Sequence, residues 1–185
     1  GADALVARML ALRGIDAEQA DAFFHPELDH LHDPLLMLGM ERAVDRLMEA
    51  QFDGQRIMAY GDYDVDGSTS VALIQEFLTN NGFDVTAYIP DRYSEGYGLS
   101  EEGIRQAAEQ GCRIIITLDC GIRAVDRVRE ANALGIDVII CDHHLPGSTL
   151  PEAHTILNPK QADCPYPFKE LSGCGVAFKL VQALT

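Results

Sequence analysis

Three aspartates at alternate positions follow a short apolar run near residue 60. Asp62, Asp64 and Asp66 lie in the segment GDYDVDGSTS (61–70), directly after the apolar residues 57–60. Carboxylates at this spacing repel one another unless a cation lies among them, and hard divalent cations prefer carboxylate oxygens as ligands. The pattern therefore predicts a divalent metal site at the end of a strand.

Metal-binding residue types follow two further apolar runs. Asp119 ends the run 114–118, and Asp142, His143 and His144 follow the run 138–141. Imidazole is a common metal ligand, and two adjacent histidines after a strand point in different directions, so that one can bind metal while the other faces a substrate. The alternatives are a helix cap at Asp119 and a solvated turn at the histidines. Three strand ends with the same chemistry favour a metal-dependent hydrolase.

An EF-hand calcium loop is the nearest competing interpretation of the first motif. That loop needs a bidentate glutamate at its twelfth position, where this sequence has Leu73, and a helix upstream, where an apolar strand is expected. A simple helix cap before Gly67 would explain one aspartate but not three. Metal binding outside an EF-hand is the remaining interpretation.

The rest of the sequence alternates apolar runs with amphipathic segments. We predict strands at 56–61, 84–89, 113–118, 137–141 and 154–157, and helices at 67–81, 100–110, 122–134 and 174–184. This order predicts an α/β fold, a mostly parallel sheet with helices on both faces. Ligands bind beyond the carboxyl ends of such strands, where Asp62, Asp119 and Asp142 fall. Residues 1–52 are predicted to form a helical N-terminal extension, and residues 53–185 the α/β domain.

Composition excludes several classes of protein. The formal net charge of −15 argues against a basic DNA-coating surface, although carboxylates that bind metal would contribute to this charge. Five cysteines without CxxC spacing indicate reduced thiols. No apolar stretch approaches the ~20 residues of a membrane span, and no signal peptide is evident, so we expect a cytoplasmic protein.

Two glycine-containing segments are candidates for substrate contacts. One is the loop 92–98, which offers a cation, a hydroxyl, a flexible glycine and an aromatic side chain, and the other opens the last helix, where backbone amides can face an anion. The candidate substrate-binding residues are Arg92, Ser94, Gly96, Tyr97, Gly173 and Gly175. Ordinary turns are the alternative for both segments.

Five motifs in order resemble the DHH phosphoesterase superfamily, and within it the single-strand-specific 5′→3′ DNA exonucleases. They are GDYDVDGSTS, DRYSEGYGLS, TLDCGI, CDHHLPG and NPKQADCPYPFKELSGCGVAFKL, and the lead-in FFHPELDHLHDP and the segment GMERAV extend the likeness across the chain. Small-molecule members of the superfamily have histidine four residues before Asp64, where this sequence has Tyr60. That difference favours the exonuclease branch over pyrophosphatases.

The resemblance implies two-metal phosphodiester hydrolysis with Mn²⁺ or Mg²⁺, two ions per complete site. It implies that the metals are held by Asp62, Asp64, Asp66, Asp119 and His143, with Asp119 bridging them, and that His144 contacts the scissile phosphate or assists the leaving group. The implied substrate is single-stranded DNA with a 5′ end, degraded to mononucleotides in DNA recombination and repair. A helicase and a single-strand-binding protein are the implied partners.

Members of that branch carry a further metal-binding aspartate, a second core domain and an OB-fold downstream of the segment GVAFKL, and this sequence ends at Thr185. We therefore expect the N-terminal catalytic part of a longer enzyme, inactive or weak by itself. Two alternatives stay open. One is a DHH phosphodiesterase of short oligonucleotides or cyclic dinucleotides, and the other is a non-catalytic replication scaffold, although such scaffolds tend to lose ligands that this sequence retains.

Overall fold

The computed structural model describes residues 3–185, which divide into two compact units, Gly1–Asp33 and Pro34–Thr185. The first unit is helical, as predicted, with α1 (Ala4–Leu12), α2 (Ala20–Phe24) and a 3₁₀ turn (Leu28–His30). Helix α1 begins where the Asp3 carboxylate accepts a hydrogen bond from the Leu5 N–H group. Pro26 follows the end of α2, where a proline cannot continue the helix.

The second unit is the predicted α/β domain. After a 3₁₀ turn (Pro34–Leu36) its elements are α3 (Met40–Phe52), β1 (Arg56–Gly61), α4 (Val65–Asn80), β2 (Asp84–Tyr88), α5 (Glu101–Glu109), β3 (Cys112–Leu118), α6 (Val125–Ala133), β4 (Asp137–Cys141), β5 (Thr155–Leu157) and α7 (Gly173–Ala183). Helix α3, on the N-terminal side of the predicted boundary at residue 52, belongs to this unit.

The five strands form one sheet in the order β2-β1-β3-β4-β5, and every neighbouring pair is parallel. Alternate side chains of each strand enter different cores, so that Ile57 and Ala59 pack with α3, α4 and α7, while Met58 packs with α5 and α6. Burial on both faces explains why the strands read as unbroken apolar runs. The predicted fold class is confirmed.

Two of the four predicted helices begin two or three residues away from their predicted starts. Helix α4 begins at Val65 because the Asp64 carboxylate accepts hydrogen bonds from the N–H groups of Asp66 and Gly67, at 2.9 and 3.0 Å. Helix α6 begins at Val125 rather than at residue 122, because residues 119–124 form a turn that bends back to the sheet. The N-cap of α6 is Ala124, so capping does not explain Asp119.

Within residues 3–185, no helix combines the length and the apolar character that a membrane crossing requires.

Candidate metal centre

Three neighbouring strands bring their following aspartates to one edge of the sheet. The Asp62 N–H group donates to the Leu118 carbonyl (3.3 Å), and the Asp119 N–H group donates to the Cys141 carbonyl (2.9 Å). The Asp142 N–H group continues the same ladder by donating to the carbonyl of Leu157 (3.0 Å). All three aspartates are at most 2% exposed. The placement predicted from the strand order is therefore found in the structure.

Two groups of side chains at this edge have the geometry of a metal site. Asp62, Asp64 and Asp119 form one group, and Asp119, His143 and His144 form the other. In each group the ligand atoms lie within 4.8 Å of one another. Asp119 belongs to both groups, and its role as a ligand shared by two metal ions stays a prediction.

Within residues 3–185, the buried carboxylate of Asp119 has an oxygen without a hydrogen-bond partner and a raised pKa. Its Oδ1 atom is buried without a hydrogen-bond partner among the described residues, and the His143 Nε2 atom lies 3.1 Å away outside hydrogen-bonding geometry. Burial, followed by the charges of Asp66 and Asp64, raises the pKa of Asp119 to about 7. A buried unpaired carboxylate is costly. A cation at this position would remove that cost.

Asp62 also has a carboxylate oxygen that lacks a hydrogen-bond partner in the part of the chain that the structure describes. Its Oδ1 atom is likewise buried without a hydrogen-bond partner within the described chain, and burial raises the pKa of this carboxyl group, with a smaller contribution from the charge of Asp64. Buried polar atoms in proteins are almost always satisfied. Two orphaned carboxylate oxygens at one sheet edge, together with nearby imidazole nitrogens, fit hard divalent cations.

Asp66 has a different environment from the other aspartates of its motif. Its two carboxylate oxygens accept hydrogen bonds of 2.7 Å each from the N–H groups of Gly173 and Cys174 at the start of α7. The helix N-terminus offers a favourable place for this charge. Asp66 also lies 3.8 Å from His143 Nε2. It joins α4 to α7, and its role as a metal ligand stays a prediction.

Asp142 holds the two histidines and the turn before α6 in place, a role that the sequence pattern does not reveal. Its Oδ1 atom accepts hydrogen bonds from the N–H groups of His143 (2.7 Å) and His144 (3.1 Å) and lies 2.7 Å from His144 Nδ1. Its Oδ2 atom accepts from the Ile122 N–H group at 3.0 Å. A carboxylate partner on one ring nitrogen orients a histidine and leaves the other nitrogen available. The one feature of the sequence that could have indicated this orienting role is the position of Asp142 directly before the two histidines.

The loop 92–98 reaches the site through one side chain. The Tyr97 hydroxyl lies 3.5 Å from both ring nitrogens of His144 and 3.4 Å from the Asp119 carbonyl oxygen, to which it donates. Gly96 and Gly98, on either side of it, have φ values of 81° and 83° that favour glycine. The guanidinium of Arg92 lies 5.2 Å from the ring of Tyr63, within the aspartate motif.

Three other predicted substrate contacts are engaged within the protein. The Ser94 hydroxyl donates to Asp91 Oδ1 at 2.9 Å. The N–H groups of Gly173 and Gly175, proposed as anion donors, donate instead to Asp66 and to the Ser172 hydroxyl. Their roles towards a substrate stay predictions.

A buried hydrogen-bond network positions the loop that carries Tyr97. The Tyr60 hydroxyl donates to the Gly98 carbonyl at 2.7 Å and accepts from the Ser100 N–H group at 3.1 Å. Glu95 accepts from the hydroxyl groups of Ser100 (2.5 Å) and Tyr88 (2.9 Å). The rings of Tyr60 and Tyr88 stack with centroids 5.4 Å apart. The sequence shows a tyrosine at position 60, where small-molecule members of the superfamily have histidine. It does not show that this tyrosine anchors the loop.

Replacing Tyr60 by phenylalanine should lower the free energy of unfolding by about 1–3 kcal/mol, because the buried Ser100 N–H group loses its partner. Urea unfolding of the chain measures this change. Tyr93→Phe is the matched control, because Tyr93 is 95% exposed. Equal stability of the two variants would show that the network does not hold the loop.

The raised pKa of Asp119 predicts a pH dependence of stability in EDTA. An unfolded aspartate has a pKa of about 3.9, while that of folded Asp119 is about 7. Between these values the folded state keeps a proton that the unfolded state has released, so stability falls as pH rises from about 4 to about 7 and then levels off. Urea unfolding at several pH values should show a steeper decline for wild type than for Asp119→Asn, in which Asp62 still titrates. Parallel curves would contradict this assignment.

A parallel α/β sheet with paired carboxylate and histidine groups beyond its strand ends defines a candidate metal-dependent hydrolase. The chain belongs to the DHH family, since the family model described as "DHH family, N-terminal domain" matches residues 56–185. This confirms the resemblance inferred from the motifs.

Several similar proteins are named as single-stranded-DNA-specific exonucleases called RecJ. The chain is 49% identical to RecJ of Bacillus subtilis over 181 residues, covering 97% of the chain and 23% of that protein. It is 42% identical to RecJ of Escherichia coli over 185 residues, covering 97% of the chain and 31% of that protein. The chain therefore spans about a quarter to a third of the length of these relatives.

Solved structures of RecJ proteins are also similar to the structure of this chain. A crystal structure of exonuclease RecJ bound to manganese matches 80% of the chain and 37% of its own chain, with a TM-score of 0.73 and 38% identity. RecJ of Thermus thermophilus in complex with Mn²⁺ matches 98% of the chain and 27% of its own chain, with a TM-score of 0.71 and 31% identity. The same Thermus protein has been solved with Mg²⁺.

Proposed function

We propose that this chain provides the metal-binding part of the catalytic centre of a single-strand-specific DNA exonuclease that works in the 5′→3′ direction. It would release mononucleotides by two-metal phosphodiester hydrolysis and act in DNA recombination and repair, supplied by a helicase and a single-strand-binding protein. The observation that carries the proposal is Asp119, a buried carboxylate that belongs to two groups of ligand atoms and whose Oδ1 atom has no hydrogen-bond partner among the described residues. The names of the RecJ relatives support the choice of substrate.

The residues that would hold Mn²⁺ or Mg²⁺ are Asp62, Asp64, Asp66, Asp119 and His143, although the carboxylate of Asp66 also accepts hydrogen bonds from the start of α7. Asp119 would face both ions, because it belongs to both groups of ligand atoms. Divalent cations in such a pair, when bound, activate water and neutralise charge on the attacking and leaving oxygens. The relatives solved with manganese and magnesium support the choice of metal.

His144 would act directly on the substrate. Asp142 engages Nδ1 at 2.7 Å, which leaves Nε2 to contact the scissile phosphate or to donate a proton to the leaving oxygen. The Tyr97 hydroxyl, 3.5 Å from this ring, limits its rotation. Arg92 is placed beside the aspartate motif by its contact with Tyr63 and supplies a cation for a DNA phosphate.

The charge of the chain suggests that other parts of the enzyme grip the DNA. A net charge of −15 is unfavourable for tracking a phosphate backbone. We propose that the remainder of the protein supplies a further metal-binding aspartate and a basic surface. The 185-residue chain alone should then bind Mn²⁺ weakly and show little or no nuclease activity.

The decisive experiment compares the 185-residue chain with the full-length protein that contains it. The substrate is a labelled single strand with a 5′-phosphate, assayed with Mn²⁺ and with EDTA. Mn²⁺-dependent release of mononucleotides by the full-length protein supports the proposal, and activity in neither protein overturns it. A preference for dinucleotides over long strands would favour a phosphodiesterase of short oligonucleotides, and absence of Mn²⁺ binding would favour a non-catalytic scaffold.

A further inference from the structure

A cavity of about 550 Å³ lies beside the two histidines, next to the carboxylates that would bind metal. Three segments form its walls: the end of the loop that carries Tyr97, the turn that leads into α6, and residues 142–145 after β4. His143 and His144 line the cavity. A ligand inside it would therefore adjoin the atoms that the proposed reaction needs.

The walls of the cavity are largely apolar. Leu99 and Ile122 are buried, Ala124 is half-buried, and Leu145 is 64% exposed. Leu145 is largely exposed, so replacing it should cost little stability. The apolar lining favours a ligand with a flat or apolar surface over a simple inorganic anion.

Hydrogen bonds join the segments that form the walls of the cavity. The Arg123 guanidinium donates to the Leu145 carbonyl at 2.9 Å, which joins the turn before α6 to the segment after β4. Asp142 joins the same two segments by accepting from the Ile122 N–H group at 3.0 Å. Such preorganisation reduces the entropy lost when a ligand binds.

Cations concentrate at this cavity. Arg123, Arg127 and Lys160 line it, three of the 14 basic residues in a chain of net charge −15. Arg127 pairs with Glu130 at 2.6 Å, and Lys160 pairs with Glu170 at 3.3 Å, and both glutamates are partly or largely exposed. Solvent-exposed pairs of this kind are weak and can exchange for a phosphate.

We propose that this cavity binds the nucleobase of a nucleotide that flanks the scissile phosphate, while the cations at its rim contact the DNA backbone. The inference rests on the proposed function and names a base-binding site within it. The volume falls in the range of about 300–1,000 Å³ of small-molecule sites. The rings of Tyr97 and His144, which line the cavity in an edge-to-face contact with centroids 6.1 Å apart, offer aromatic surface to a base.

A titration of the 185-residue chain tests the cavity without any nuclease reaction. Deoxyadenosine 5′-monophosphate should bind about tenfold more tightly than 2-deoxyribose 5-phosphate, the lower part of what stacking a base contributes. Leu145→Ala should reduce this ratio to about two, as it removes a wall. Leu134→Ala is the matched control, because this leucine is 55% exposed at the other end of α6. Equal affinity for the two ligands, or an unchanged ratio in Leu145→Ala, would overturn the inference.

Strands that lack one base identify which nucleotide occupies the cavity. The full-length protein is assayed on 5′-phosphorylated strands without a base at the first or at the second nucleotide. A KM raised about tenfold for one strand, and raised much less in Leu145→Ala, assigns the cavity to that nucleotide. Unchanged KM values for both strands would overturn the inference. Absence of all nuclease activity would contradict the proposed function instead, and the titration would still decide the cavity.

Discussion

Replacing Asp119 by asparagine is expected to lower the proposed nuclease turnover of the full-length protein by about a thousandfold, or ~4 kcal/mol in activation free energy. The substitution removes the charge that the two groups of ligand atoms share. Mn²⁺ affinity, measured by calorimetry on the same variant, should fall at least about tenfold, because carboxylate charge is what a hard cation binds.

The same variant should fold at least as stably as wild type. Asparagine tolerates the left-handed φ of 62° at this position, and an amide removes the cost of burying a carboxylate charge. Alanine should lower activity equally but also lose about 1–2 kcal/mol of stability, since it is strained at this φ. Thermal unfolding in EDTA distinguishes the two substitutions.

Asp126→Asn is the matched control for Asp119→Asn. Asp126 lies exposed in the first turn of α6, where it pairs with Arg129 at 2.8 Å, away from both groups of ligand atoms. Near-normal turnover is expected for it. Near-normal turnover of Asp119→Asn would instead refute the shared role of Asp119 between two ions.

The sheet could be predicted from the sequence because the relevant signals are local. Each strand is an apolar run, and its predicted bounds agree with the observed bounds to within one residue. The order of strands and helices then places the following aspartates at one edge. Fold class and the position of the site therefore followed from pattern alone.

Features that depend on distant contacts could not be predicted in this way. Helix α6 begins late because the turn before it is tied to Asp142, 20 residues further along the chain. Asp66 is paired with the start of α7, more than 100 residues away. Neither contact can be inferred from the spacing of residues in the sequence. The sequence pattern alone therefore does not distinguish Asp66, which accepts hydrogen bonds from α7, from Asp62 and Asp64.

Gly173 illustrates how such a contact controls the site. A Cβ atom at this position would lie 2.5 Å from Asp119 Oδ1 and 2.6 Å from Asp119 Cβ. Asp119 has little room to move, since it is buried and its N–H group is bonded to the Cys141 carbonyl. A methyl group would instead displace the start of α7 and weaken the hydrogen bonds to Asp66.

Gly173→Ala should therefore lower turnover about a hundredfold, the effect expected from displacing catalytic groups by about 1 Å. Mn²⁺ affinity should fall with it, and stability should fall by about 1–3 kcal/mol through overpacking. Gly147→Ala is the control, because the nearest atom to its added Cβ is the Thr149 carbonyl oxygen at 3.6 Å, an ordinary contact. Steady-state kinetics, calorimetry and thermal unfolding on the three proteins measure these effects.

A double substitution separates the two roles that Gly173 can have. If Gly173→Ala acts by displacing the start of α7 from Asp66, the variant that carries both Gly173→Ala and Asp66→Asn should be about as slow as Asp66→Asn alone. If its amide instead binds a substrate phosphate, as the glycines at the start of the last helix first suggested, the two losses should multiply. Multiplying losses would show that displacement of α7 from Asp66 is not what makes glycine necessary at this position.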